Sequence, residues 1–134
     1  MASDQSTSIA DLRNEVQQFV AERCWEKFHS PKNISMALAV EAAELMEHFQ
    51  WLSEAEVDSI DESKRADVCE ELSDVFCYVL AMANTLDVDL TERFRKKMDR
   101  NRQKYPIEEI RGRFGHDDPN PVSCGDETSS QETP

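Results

Sequence analysis

Glycine is missing from the first 111 residues of this 134-residue chain, because its three glycines are Gly112, Gly115 and Gly125. The same stretch contains proline only at Pro31 and Pro106. Glycine and proline mark most tight turns and strand bulges, and apolar residues recur here at helical spacing with little strand-like alternation. The sequence therefore predicts an all-α fold.

Start and stop signals divide this stretch into four predicted helices. Ser8 followed by Asp11 resembles a capping box, and Pro31 suits the first turn of a helix. Residues 53–63 form an acidic connection with at most one helical turn, and Pro106 stops the last helix. The predicted helices run from about Ser8 to Phe28, from Asn33 to Leu52, from Glu62 to Leu86 and from Asp89 to Lys104.

The composition changes after the predicted helices. Residues 112–134 contain Gly, Pro, Ser, Thr and Asp but almost no apolar side chains. Such a segment cannot bury enough surface to offset the entropy lost on ordering. We therefore predict a flexible N-terminus at residues 1–8, one domain at residues 9–111 and an acidic disordered tail at residues 112–134.

The net charge of −13 argues against binding to a nucleic-acid polymer or to an anionic membrane, because both would be repelled. No apolar run reaches the roughly 20 residues that span a membrane, and the first residues lack the pattern of a secretory signal. Zinc-type ligand spacing is absent. Three of the four cysteines fall in helical patterns, where buried free thiols are usual, so reduced thiols and a cytoplasmic protein are expected. The cysteines are Cys24, Cys69, Cys77 and Cys124.

Two acidic pairs stand out, Glu41 with Glu44 and Glu71 with Asp74. Each pair is spaced by three residues, so both carboxylates share one helix face about 5–6 Å apart. On a helical projection both pairs border the apolar arc of their helix, and packing the two arcs together would bring four negative charges to one edge. Such a cluster repels itself unless a cation fills it, and oxygen ligands favour Mg²⁺ or Mn²⁺.

These acids can also be interpreted as ordinary solvent-facing residues. Glutamates on amphipathic helices usually face solvent, and a single pair with this spacing carries little information. Two matched pairs that border the core leave the metal-site and solvent-facing interpretations both open.

Lys97 and Asn101 lie within the apolar stripe of the last predicted helix. Unpaired polar groups there would cost several kcal/mol if buried, so both need partners. A phosphate group would satisfy both side chains. The alternatives are that Lys97 extends to solvent and that Asn101 makes a structural hydrogen bond.

Aromatic and imidazole side chains concentrate near the predicted helix ends, and one lies on an acidic face. Such faces beside a metal and phosphate site would suit a stacked base, although core packing explains them equally well. They are Trp25, His29, Trp51 and Tyr78.

These motifs together resemble the MazG-like nucleotide pyrophosphohydrolases, most closely the dCTP pyrophosphatase group. The resemblance covers about residues 10 to 107 in unbroken order. Its blocks are W-x-x-F-H beginning at Trp25, E-A-A-E-L at Glu41, F-Q-W at Phe49, E-L-S-D at Glu71 and K-M-x-x-N-x-x-x-Y-P at Lys97.

The resemblance implies a four-helix MazG-like bundle that completes its core by oligomerising as a dimer or a tetramer. It also implies hydrolysis of (deoxy)nucleoside triphosphates, dCTP or related pyrimidine nucleotides, to the monophosphate and pyrophosphate, as in nucleotide-pool sanitation. By position, Mg²⁺ (or Mn²⁺) would be held by catalytic carboxylates at Glu41, Glu44, Glu71 and Asp74. Substrate would contact Trp25, His29, Trp51, Tyr78, Lys97 and Asn101.

Three positions depart from the vertebrate dCTP pyrophosphatases. Those proteins carry glycines where this chain has Val40 and Ala43, and a histidine that helps hold the base aligns with Val16. These departures concern the base preference and leave the carboxylates unchanged.

Two other functions remain as alternatives. A di-metal carboxylate bundle of the ferritin type needs Glu-x-x-His pairs, and here His48 follows Glu44 by four residues instead of three. A non-enzymatic acidic helical bundle that binds a protein partner is the second alternative.

Overall fold

The structure, a computed structural model, describes residues 1–120 and residue 122. Within these residues every regular element is a helix, which confirms the predicted all-α fold. The chain divides into two compact units, Met1–Leu90 and a second unit that begins at Thr91. None of the described helices is both long and apolar enough to cross a membrane.

The elements of the described residues are six α-helices and one 3₁₀ turn, Glu26–Phe28. The helices are α1 (Ile9–Glu22), α2 (Pro31–Glu47), α3 (Glu54–Val57), α4 (Glu62–Thr85), α5 (Leu90–Lys104) and α6 (Ile107–Ile110). The long helices α1, α2, α4 and α5 correspond to the predicted ones. The short helix α3 lies in the segment expected to be a connection.

Two of the helix starts follow from side-chain caps. The Ser8 amide donates to Asp11 Oδ2 at 2.9 Å and the Asp11 amide donates to Ser8 Oγ at 3.1 Å, which confirms the capping box. Ser30 Oγ accepts from the Asn33 amide at 3.2 Å, so α2 begins at Pro31, slightly before the predicted start. These caps satisfy amides that have no partner within the helix.

Helix α1 ends at Glu22, several residues before the predicted end at Phe28. Cys24 adopts the left-handed conformation with φ of 53°. The Cys24 amide donates to Ala21 O and the Trp25 amide donates to Val20 O, both at 3.0 Å. This is a Schellman motif, and it changes the direction of the chain after α1, so that Trp25 does not continue the helix.

Helix α2 ends at Glu47, before the predicted end at Leu52. The amides of Phe49 and Gln50 both donate to Met46 O at 3.0 Å and close a turn. Trp51 therefore lies on a turn between α2 and α3.

The end of α4 is tied to the start of α1 through Arg13. Its guanidinium donates to Asn84 Oδ1 at 2.9 Å, to Val88 O at 2.8 Å and to Ala83 O at 3.3 Å. Asn84 Nδ2 donates back to Arg13 O at 2.9 Å. These bonds satisfy carbonyls at the helix end and place a positive charge at its negative pole. They join the start of α1 to the end of α4, and because α1 also packs on α4, the two helices run antiparallel.

The buried core is small. Among the described residues only Ile34 of α2 and Leu80, Ala81 and Ala83 of α4 are buried. Large apolar side chains on the same helices remain exposed, for example Phe76 at 42%. A single copy of the chain therefore leaves much apolar surface in contact with water.

The second unit contains most of α5, then α6 and a hydrogen-bonded loop. His116 Nε2 donates to Lys104 O at 2.8 Å, and its ring stacks on Tyr105 with centroids 5.6 Å apart. Gly112 has a positive φ of 76°, a conformation that glycine adopts without strain. Residues 121 and 123–134 of the predicted tail lie outside the described residues, so that prediction stays untested.

Candidate metal centre and adjoining cleft

The packing of α2 against α4 brings the two acidic pairs together. Glu41, Glu44 and Glu71 each offer a carboxylate oxygen, and the three oxygens lie within 4.8 Å of one another. Glu41 and Glu71 are half-buried, whereas Glu44 is exposed. The helices carry these acids at the border of their apolar faces, so burial of Ile34 and Leu80 positions the carboxylates along one edge.

Asp74, the fourth predicted ligand, lies outside that group of three but beside it. It shares the lining of a neighbouring cleft with Glu41. Its charge also acts on the Glu41 carboxyl. The structure therefore places all four predicted carboxylates at one locality, three of them in mutual ligand range.

The cluster is electrostatically strained. Burial raises the pKa of the Glu41 carboxyl, and a hydrogen bond with Glu44 together with the negative charges of Glu44, Asp74 and Glu71 raises it further. Like charges at this separation disfavour each other's ionised form. A divalent cation would remove the repulsion, and three carboxylate oxygens form a hard donor set.

His48 contacts this cluster and was not among the predicted site residues. Its Nε2 lies 3.9 Å from Glu71 Oε1, and the two side chains are 18% and 23% exposed. The sequence contained a signal for it, since His48 follows Glu44 by four residues and shares its helix face.

The adjoining cleft has a volume of about 460 Å³. Three predicted substrate residues, Trp25, His29 and Tyr78, line it together with Glu41 and Asp74. An aromatic wall therefore adjoins the acidic cluster, as a base-binding site beside a phosphate site requires. The other lining residues are Glu15, Val16, Phe19, Val20, Cys77 and Ala81.

The wall formed by Trp25 is held by its neighbours. Phe19 meets the Trp25 ring edge to face with centroids 5.9 Å apart, and the Arg23 guanidinium lies 3.7 Å from the Phe19 ring centroid. His29 Nδ1 contacts Trp25 O at 3.0 Å. Phe19 was missed because its spacing on α1 is that of an ordinary core residue.

Cys77 also lines the cleft. Burial raises the pKa of its thiol, with a smaller contribution from the charge of Asp74, so the thiol stays protonated at neutral pH. Cys24, Cys69 and Cys77, the cysteines within the described residues, are free thiols.

Three predicted substrate residues are not among the residues that line the cleft. Trp51 is 85% exposed and does not belong to the lining of the cleft. Lys97 and Asn101 lie on α5 in the second unit, where Asn101 Nδ2 contacts Met98 Sδ at 4.0 Å. Their role toward substrate stays a prediction.

The sequence is similar to one family of known proteins. The model of the MazG-like family matches residues 36–113. Rat dCTP pyrophosphatase 1 is 45% identical over 107 residues, which cover 78% of this chain and 63% of the rat protein. Human dCTP pyrophosphatase 1 is 44% identical over 101 residues, which cover 74% of this chain and 59% of the human protein. The chain thus spans less than two thirds of these relatives.

A solved structure is also similar. A pyrophosphatase from Archaeoglobus fulgidus DSM 4304 superposes with a TM-score of 0.71 at 32% identity. The similarity covers 79% of this chain and 99% of the archaeal one.

Proposed function

This chain belongs to the MazG-like family, and we propose that it hydrolyses deoxynucleoside triphosphates to the monophosphate and pyrophosphate. The observation that carries the proposal is the junction of a carboxylate cluster with an aromatic cleft, where Glu41 belongs to both. The names of the rat and human relatives and of the archaeal structure point to the same chemistry.

Glu41, Glu44 and Glu71, joined by Asp74, would hold Mg²⁺, for which Mn²⁺ can substitute. The bound cation would offset the charge of the triphosphate and lower the pKa of an attacking water. Trp25 and Tyr78 would hold the nucleoside in the cleft with the α-phosphorus at its acidic end. Lys97 and Asn101 would contact the phosphates, as the family resemblance implies.

We propose further that the cleft selects a base that carries an exocyclic amino group. Arg13 pairs with Asn84 across the antiparallel helices, so Glu15 lies near the level of Ala81. That level is about 10 Å along α4 from Asp74, comparable to the distance from an α-phosphorus to the far edge of a base. The Glu15 carboxylate accepts hydrogen bonds and repels carbonyl oxygens, so dCTP should be preferred over dTTP.

The proposed preference has its own test. Glu15→Gln replaces an acceptor by an amide that can donate or accept, so the ratio of kcat/KM for dCTP to that for dTTP should fall about 10-fold or more. Glu22→Gln, an exposed change on the same helix outside the cleft lining, should leave the ratio unchanged. An unchanged ratio in Glu15→Gln would show that the base is selected elsewhere.

We also propose that the protein is a cytoplasmic homo-oligomer, either a dimer or a tetramer. The support is the exposed apolar surface of α2 and α4, which includes Met36, Val40, Leu72 and Phe76. The free thiols suit a reducing compartment.

The activity is tested by measuring pyrophosphate release. The assay should cover the common and 5-modified (deoxy)nucleoside triphosphates, each with Mg²⁺, with Mn²⁺ and with EDTA. We expect release that depends on the added cation and is greatest with dCTP or a related pyrimidine nucleotide. Absence of cation-dependent release with every nucleotide would favour the non-enzymatic acidic bundle.

A further inference from the structure

His48 lies at the edge of the acidic cluster without belonging to the group of oxygens that could share an ion. It directly follows Glu47, the last residue of α2, one turn beyond Glu44. Its Nε2 lies 3.9 Å from Glu71 Oε1. Among the described residues, the carboxylates that lie in mutual ligand range are those of Glu41, Glu44 and Glu71.

The chemistry of the pair decides which group donates. An ionised carboxylate can only accept hydrogen bonds, so the imidazole nitrogen that faces Glu71 must carry the hydrogen. A separation of 3.9 Å is too long for a hydrogen bond, but a movement of about 1 Å by either side chain closes it. Both side chains are half-buried, at 18% and 23% exposure, which limits competition from water.

A carboxylate has two oxygens, and the donor can occupy only one of them. With Oε1 of Glu71 facing His48, the other oxygen is left to face a cation. Hydrogen bonds of this kind orient carboxylate ligands, and their loss commonly costs 10- to 100-fold in metal affinity.

We propose that His48 is a positioning residue that orients Glu71 for the divalent cation. The inference rests on the proposed function, since it assumes the cation site. It adds to the site a residue that orients one carboxylate and does not contact substrate.

The test is a titration of metal-free protein with Mn²⁺, followed by electron paramagnetic resonance of the free ion, without nucleotide. His48→Leu removes the donor while keeping an apolar side chain of similar size. His48→Gln keeps an N–H near the position of Nε2. Gln50→Leu, an exposed change two residues further along the chain, is the control.

We expect His48→Leu to weaken Mn²⁺ binding about 10- to 100-fold. His48→Gln should restore most of the affinity, and Gln50→Leu should bind like the unmodified protein. Circular dichroism spectra would show that each variant is folded.

Unchanged Mn²⁺ affinity in His48→Leu would overturn the proposal, as would a His48→Gln variant that binds as weakly as the leucine variant. Failure of the unmodified protein to bind Mn²⁺ is a different result, because it would overturn the cation site of the proposed function.

Discussion

Glu41 is the residue at which the two parts of the site meet. It offers an oxygen to the carboxylate group and also lines the aromatic cleft. Burial and the neighbouring acids act against its charge and raise the pKa of its carboxyl. A residue in this position can bring a cation and a phosphate chain into contact.

The first prediction concerns the carboxylates. Glu41→Gln and Asp74→Asn each keep the side-chain shape but remove one negative charge, so pyrophosphate release should fall about 100-fold or more. The variants should remain folded, as judged by circular dichroism. Glu47→Gln, an exposed change on α2 outside the cluster, should retain activity. Near-normal activity in both site variants would contradict the assignment of the ligands.

The second prediction concerns the aromatic wall. Trp25 lines the cleft, where stacking on a base is worth about 1–3 kcal/mol. Trp25→Ala should therefore raise KM for the preferred nucleotide about 10- to 100-fold. Phe28→Ala removes an aromatic ring that is 56% exposed and outside the cleft lining, so its KM should change little. Equal effects of the two changes would argue against stacking on Trp25.

At the scale of the elements, two chain reversals position the site. The turn at Cys24 follows the end of α1 and directs the chain so that Trp25 lines the cleft. The turn at Asp87 follows the end of α4, and Arg13 donates a hydrogen bond to Val88 O just beyond it. In both turns a residue other than glycine adopts a positive φ. That conformation costs about 1–2 kcal/mol for an ordinary residue.

The third prediction follows from the first of these turns. Cys24→Gly should increase the free energy of unfolding by about 0.5 to 1 kcal/mol, because relief of the strain at φ of 53° exceeds the added entropy of the unfolded chain. Urea unfolding at a fixed protein concentration measures the change. Cys24→Ala should give no such gain, since alanine keeps the Cβ. A lower free energy of unfolding for Cys24→Gly would mean that the exposed thiol stabilises the protein by more than the strained backbone destabilises it.

The fourth prediction concerns the tie between α1 and α4. Arg13→Met removes three hydrogen bonds and leaves helix-end carbonyls without their donor, so the free energy of unfolding should fall by about 2 to 3 kcal/mol. Arg13→Lys retains the charge but loses the planar fork, and it should be intermediate. Chemical denaturation of the three proteins side by side measures the order. A methionine variant as stable as the unmodified protein would show that the tie contributes little.

At the scale of the whole molecule, the small core is the main feature. Four buried residues among those described are few for a chain of this length, while Leu72 and Phe76 of α4 are 55% and 42% exposed. An exposed apolar surface of this kind usually marks an interface. Association of copies is the explanation that we propose.

The fifth prediction tests that association. Size-exclusion chromatography with light scattering should give a dimer or a tetramer for the unmodified protein. Phe76→Lys places a charge in the apolar face of α4 and should produce a smaller species. Ser63→Lys, at the exposed start of the same helix, should not. A monomeric unmodified protein would contradict the proposed assembly.

The sequence predicted the elements better than their ends. The absence of glycine and the apolar periodicity were enough to predict the helices. The three-residue spacing of Glu41 and Glu44 then placed both carboxylates on one face of the helix. The end of α1 was missed because Cys24 adopts a conformation for which glycine is the usual signal. Glu15 and Phe19 were missed because they line the cleft only where α1 packs beside α4, and α4 lies far along the chain.

The central claim is that attack occurs at the α-phosphorus with pyrophosphate as the leaving group. It is tested most directly by hydrolysing dCTP in ¹⁸O-labelled water with Mg²⁺ and analysing the products by ³¹P NMR and mass spectrometry. We predict one ¹⁸O atom in dCMP and unlabelled pyrophosphate. Formation of dCDP and inorganic phosphate, or label in the pyrophosphate, would contradict the account.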